Sequence, residues 1–128
     1  MATTELVRLL DVGKALVAAL DRAGIEVKSA LWLYDPEIPE WRLILSMPMV
    51  AERGTGATYD AIAEVFRTAP VTGLYLRQIH LARPKDPLVA SLSRAIHTGP
   101  SIQDPPVHLA RSAFDNILIE EAYIYRST

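Results

Sequence analysis

The sequence predicts an α+β fold. It has a five-stranded, mixed but mainly antiparallel sheet with three helices packed mostly on one face, in the order αββαβαββ. Three observations predict it. Residues 27–34 and 41–47 are aliphatic and aromatic runs that flank Asp35-Pro36-Glu37-Ile38-Pro39-Glu40, a connector whose prolines and acids suit a turn rather than a strand interior. Apolar residues recur at helical spacing in three separate segments. Two further strand-like runs meet at Asp115-Asn116, a pair that tolerates the positive φ angles of a tight hairpin. Hairpins and short connections favour an antiparallel sheet, and no repeat or long linker divides residues 1–128, so a single domain is expected.

In chain order, Leu6, Leu9, Leu10, Leu16, Val17 and Leu20 predict a helix over 4–23, capped by Thr3 or Thr4 and closed by Gly24. Gly13, inside its apolar stripe, predicts a close packing contact. In the first hairpin, alternation is expected to set Leu31, Leu33, Leu43, Leu45 and Met47 on a core face, with Trp32, Tyr34, Arg42 and Ile44 on the other. Pro48 ends the second strand or marks an edge. A loop through residues 52–56 then leads to a helix over about 58–68, stopped by Pro70, with Ile62, Val65 and Phe66 buried. Residues 71–81 read as a third strand. Asp86-Pro87 opens a third helix through an N-cap and a first-turn proline, and Thr98-Gly99-Pro100 ends it. Strands over 107–114 and 117–126 close the fold.

With 128 residues, one core of ordinary size is expected. Thirteen basic against fifteen acidic side chains give a net charge of -2, and with a pI near 5.9 this provides no general attraction to nucleic acid or anionic lipid. The absence of cysteine excludes disulfides, thiolate metal sites and a cysteine nucleophile, and it suits a reducing, cytoplasmic location. Arg8, Asp11 and Lys14 interrupt the apolar residues near the amino terminus, which does not read as a signal peptide.

Ile119-Glu120-Glu121-Ala122-Tyr123-Ile124-Tyr125-Arg126, together with Leu33-Tyr34, Trp41-Arg42-Leu43 and His97-Thr98-Gly99-Pro100, resembles a group of small bacterial α+β proteins of unknown function. The resemblance implies a cytosolic single-domain protein and brings no activity or site residue with it.

The candidate site with the most chemistry is an aromatic and arginine sheet face. It gathers Trp32, Tyr34 and Arg42 of the first hairpin with Glu121, Tyr123 and Tyr125 of the last strand, and with Tyr75 and Arg77. Such side chains supply large contact area at low entropic cost, as interface anchors do; the alternative is ordinary cross-strand pairing. Arg53-Gly54-Thr55-Gly56, before a helix, could present backbone N–H groups to a phosphate, but it lacks the further glycine and acid of a dinucleotide fingerprint and the Gly-Lys-Ser/Thr of a P-loop. A flexible loop and helix cap is the simpler reading. His80, His97 and His108 are dispersed without metal-ligand spacing. Neighbouring Glu120 and Glu121 should point to opposite faces, and Glu37 and Glu40 fall in a turn. Arg83, Lys85 and Arg94 are too few for a nucleic-acid groove.

No catalytic residue, metal or cofactor is therefore expected. The leading expectation is a non-enzymatic protein-interaction domain, homodimeric or bound to another protein through the aromatic face or an edge strand, without nucleic-acid or membrane partners. A binder or enzyme for a small molecule or nucleotide, with its pocket near Gly54 to Gly56, is the second reading. An immunity or antitoxin role, resting on small size, acidic pI and missing catalytic residues, is the third.

Overall fold

The computed structural model describes residues 4–69 and 71–128; the Thr3 cap and the Pro70 stop lie outside them. Helix α1 spans Thr4–Arg22, strands β1 and β2 Ser29–Asp35 and Glu40–Ser46, helix α2 Pro48–Thr68, strand β3 Ile79–Ala82, helix α3 Pro87–Ala95, and strands β4 and β5 Val107–Phe114 and Ile117–Ser127. The five strands form one sheet in the order β3-β2-β1-β5-β4. β2 and β3 pair in parallel, and the other neighbouring strands pair antiparallel. This is the α+β architecture and element order that the sequence predicts.

Local signals set most boundaries. Gly24, at φ 75, closes α1 in a Schellman motif in which Ile25 N–H donates to Leu20 O and Gly24 N–H to Asp21 O, both at 3.0 Å. The Asp86 carboxylate accepts from Leu88 N–H and Val89 N–H at the start of α3. Asp115 and Asn116 turn the last hairpin with φ of 50 and 67.

The first hairpin corrects one expectation. Asp35 pairs with Glu40 across a four-residue turn, so facing residues have opposite parity: Trp32 sits opposite Leu43, Ala30 opposite Leu45 and Leu31 opposite Ile44. Leu31 and Leu33 therefore do not share a face with Leu43 and Leu45. Both faces carry apolar residues because both are covered. Helices α1 and α2 pack on Ala30, Trp32, Leu43 and Leu45, while α3 packs on the other side against Leu31, Ile44, Ala122 and Ile124. Two of the three helices thus share a face and the shortest takes the opposite one.

Two elements differ from the expected spans. Helix α2 begins at Pro48, which stands at its first turn, and breaks at Gly54 (φ 87, ψ 169); the expected loop over 52–56 is this kink. β3 is only four residues long, because Leu76–Gln78 forms a 3₁₀ turn in which the Gln78 side chain accepts from Tyr75 N–H. Val71 to Gln78 is not strand.

The close approach of α1 to the sheet depends on Gly13. A Cβ there would lie 2.5 Å from both Trp32 Nε1 and Tyr125 Oη, as the predicted packing contact requires. Gly13→Ala is expected to destabilise the protein by about 2 kcal/mol in urea unfolding, because overpacking outweighs the roughly 1 kcal/mol that alanine contributes to helix propensity.

Candidate functional site

On the α1 face, beyond the part of the sheet that the helix covers, four rings form a continuous strip. Tyr34 and Trp41 meet edge to face with centroids 5.3 Å apart, Trp41 reaches Tyr123 at 5.7 Å, and Tyr123 stacks on His108 at 4.3 Å with an interplanar angle of 4°. The pairing dictates this. Tyr34 faces Trp41 across β1 and β2, and Tyr123 faces His108 across β5 and β4. His108 Nε2 lies 2.8 Å from a Glu121 carboxylate oxygen, which fixes the ring over Tyr123. Partial burial, aided by the negative charge of Glu121, pushes the Tyr123 phenol up from its ordinary value. Tyr34, Trp41 and Tyr123 are half-buried and His108 is exposed.

The strip ends at β4, an edge strand, whose far side faces no other strand among the described residues. Arg111, exposed and at φ 46, interrupts the regular edge after Ala110. Such kinks and charges limit edge pairing, leaving Val107 to Ala110 as the open stretch.

The predicted site residues divide. Tyr34, Tyr123 and Glu121 belong to the strip. Trp32 and Tyr125 do not: they are 0% and 1% exposed and lie beneath α1, where Trp32 Nε1–H donates to Tyr125 Oη at 3.0 Å and the Tyr125 hydroxyl donates to Leu10 O. The reason is that Trp32 and Tyr125 share the face of Tyr34 and Tyr123 at positions that α1 covers at Gly13, while a bulge in β5 between Ile124 and Arg126 turns Arg126 to that face as well. Arg42 lies on the opposite face, in the row of Leu33, with its guanidinium 3.4 Å from Asp35 and 4.0 Å from Glu40. Tyr75 and Arg77 are off the sheet on the 3₁₀ turn, with the Arg77 guanidinium 4.9 Å from the Tyr75 ring centre. Arg77 borders a small cleft beside Trp41, together with Glu5 and Leu9 of α1.

Trp41 and His108 were absent from the predicted set. The four-residue turn carries the signal for Trp41, since Asp35 opposite Glu40 places Trp41 opposite Tyr34. The two-residue Asp115-Asn116 turn sets the register between β4 and β5, which continues unchanged past Arg111 and places His108 opposite Tyr123.

Arg53, Gly54, Thr55 and Gly56 are all exposed at the α2 kink, and the turn is held by the buried Thr58 hydroxyl donating to Gly54 O at 2.8 Å. Glu120 and Glu121 do point apart: Glu121 meets His108, whereas Glu120 borders a trough on the α3 face. The three histidines stay separate. Among the described residues no group of three or more His, Cys, Asp or Glu side chains converges as a metal site, and no helix is long and apolar enough to cross a membrane. Arg94 joins Asp115, whose carboxyl this partner holds below its usual value, and Arg83 and Lys85 are exposed.

The fold and strip define an α+β protein with a half-buried aromatic band leading to a sheet edge. Comparison of the chain with protein-family models, curated proteins and solved structures finds no match. Its function is therefore argued from its own residues.

Proposed function

We propose that the chain is a non-enzymatic, cytoplasmic interaction domain that forms a homodimer through β4 and the adjoining aromatic strip. The observation that carries the reading is the continuity of Tyr34, Trp41, Tyr123 and His108 with an unpaired strand edge. Antiparallel pairing of β4 with a second β4 satisfies the open backbone groups of Val107 to Ala110. It also joins two aromatic strips side by side, so rigid rings and backbone hydrogen bonds act together. The reading of Trp32 and Tyr125 as contact residues is replaced by this set, because both lie in the core.

Light scattering on a size-exclusion column tests it. The chain is expected to run at twice its monomer mass at high micromolar concentration. Ala110→Lys, at an exposed edge position, sets two like charges near each other across the two-fold pairing and should raise the dissociation constant at least about tenfold. Its far-UV spectrum should be unchanged. A wild-type chain that remains monomeric at about 1 mM, or a dimer indifferent to both Ala110→Lys and Tyr34→Ala, overturns the proposal.

A further inference from the structure

Helix α3 has nine residues and covers only part of its face of the sheet. Beside it lies a trough of about 390 Å³, within the size range of small-molecule sites. Leu33 of β1, Ile44 of β2 and Ala82 of β3 line it, with Leu88 at the start of α3 and Leu118 of the last hairpin. Leu118 is 72% exposed, a large apolar side chain left in water at the edge of an apolar surface.

The charged groups around the trough are unequally engaged. The Asp86 carboxylate caps α3, and Arg42 is held between Asp35 and Glu40. The Glu120 side chain, half-buried beside Leu118, has neither an ion pair nor a hydrogen bond among the described residues. The His80 side chain is likewise without a hydrogen bond or ion pair among the described residues, but it lies on β3, three strand intervals from β5 and so about 14 Å or more away. Asp35, Asp86 and Glu120 outnumber Arg42 around the opening. The free charge next to the apolar surface is therefore negative.

From this we infer that the trough binds a small organic cation, a protonated amine carried on an apolar body. The ammonium group meets the Glu120 carboxylate while the body lies over Leu33 and Ile44 between Leu88 and Leu118. An anion of the same shape would face three carboxylates and an arginine already paired. Tyr34 borders both this site and the aromatic strip; the other lining residues used here are not part of the strip, and binding does not depend on dimer formation.

The test compares three probes of similar shape, phenethylamine, 2-phenylethanol and 3-phenylpropionate, by titration at pH 7 while following the methyl NMR signals of Leu33, Ile44, Leu88 and Leu118. The amine should move these signals and saturate, with the alcohol at least about tenfold weaker and the carboxylate weaker still. Raising salt should weaken the amine alone. Glu120→Gln should lower amine affinity about tenfold and leave the alcohol unchanged, whereas Leu118→Ser should weaken both. The proposal is overturned if amine and alcohol bind alike, if the carboxylate binds best, or if the trough methyls do not respond to the amine. The wild-type comparison decides the matter even if a variant fails to fold.

Discussion

Trp32→Ala is expected to remove about 4 kcal/mol of stability, the upper part of the range for truncating a buried aromatic side chain. Trp32 is fully buried at the centre of the cluster formed by α1, α2 and the sheet. Its loss leaves a cavity and also takes away the donor to Tyr125. The hydroxyl of Tyr125 links indole to helix, accepting from Trp32 and donating to Leu10 O. Tyr125→Phe preserves the ring but leaves a buried N–H and a helix carbonyl without this partner, so a cost of about 2 kcal/mol is expected. The two losses should not add, because Trp32→Ala already removes one of the same hydrogen bonds. Alkali gives an independent readout. Burial raises the Tyr125 pKa well above its ordinary 10.0, so above about pH 10 the unfolded chain releases this proton first and stability falls as pH rises. Below that pH the contribution is intact. Urea unfolding of the wild type should therefore show an alkaline decline that Tyr125→Phe reduces; equal declines in both proteins would refute the assignment.

The core role of Trp32 also shows where sequence reading succeeds and where it fails. Asp86-Pro87, Gly24 and Asp115-Asn116 act through bonds and backbone angles within a few residues, so their structural outcome is legible from local chemistry. The assignment of Gly13 to a close contact was legible too, since a glycine in an apolar helix stripe needs a packing reason. Trp32 was misplaced because both strands of the hairpin are apolar on both faces, and alternation alone then gives no preferred side. Tyr125 follows Tyr123 by two residues and shares its face, but its burial depends on the long-range docking of α1 at Gly13 and Leu10. Tyr75 and Arg77 stand in a run with strand propensity that the Gln78 side chain diverts into a 3₁₀ turn. Within the candidate strip, Tyr34, Tyr123 and Glu121 were recoverable, but the rings joining them into one surface depend on cross-strand register.

The bulge in β5 sets the second large effect. Its extra residue turns Arg126 toward α1 along with Tyr125, and Arg126 is 6% exposed. Both terminal nitrogens donate to Asp21, at 3.1 and 2.7 Å, and one also donates to Val27 O at 3.1 Å. This fork ties the end of β5 to the last turn of α1. Nε has no partner, so the ion is already incompletely satisfied and depends on the carboxylate. Asp21→Ala should therefore cost about 3 kcal/mol, at the low end of the range for stranding a buried charge, because the Asp21 side chain is 39% exposed and water can partly replace it. Arg126→Met removes the charge with the donor and fills similar volume, so it should cost only about 1 kcal/mol. In the Arg126→Met background, Asp21→Ala should then lose most of its effect. Urea unfolding of the four proteins in this cycle measures the coupling directly. If the two changes are additive, the fork holds nothing together, and the end of β5 is fixed instead by its backbone bonds to Lys28, Thr98 and Gln103.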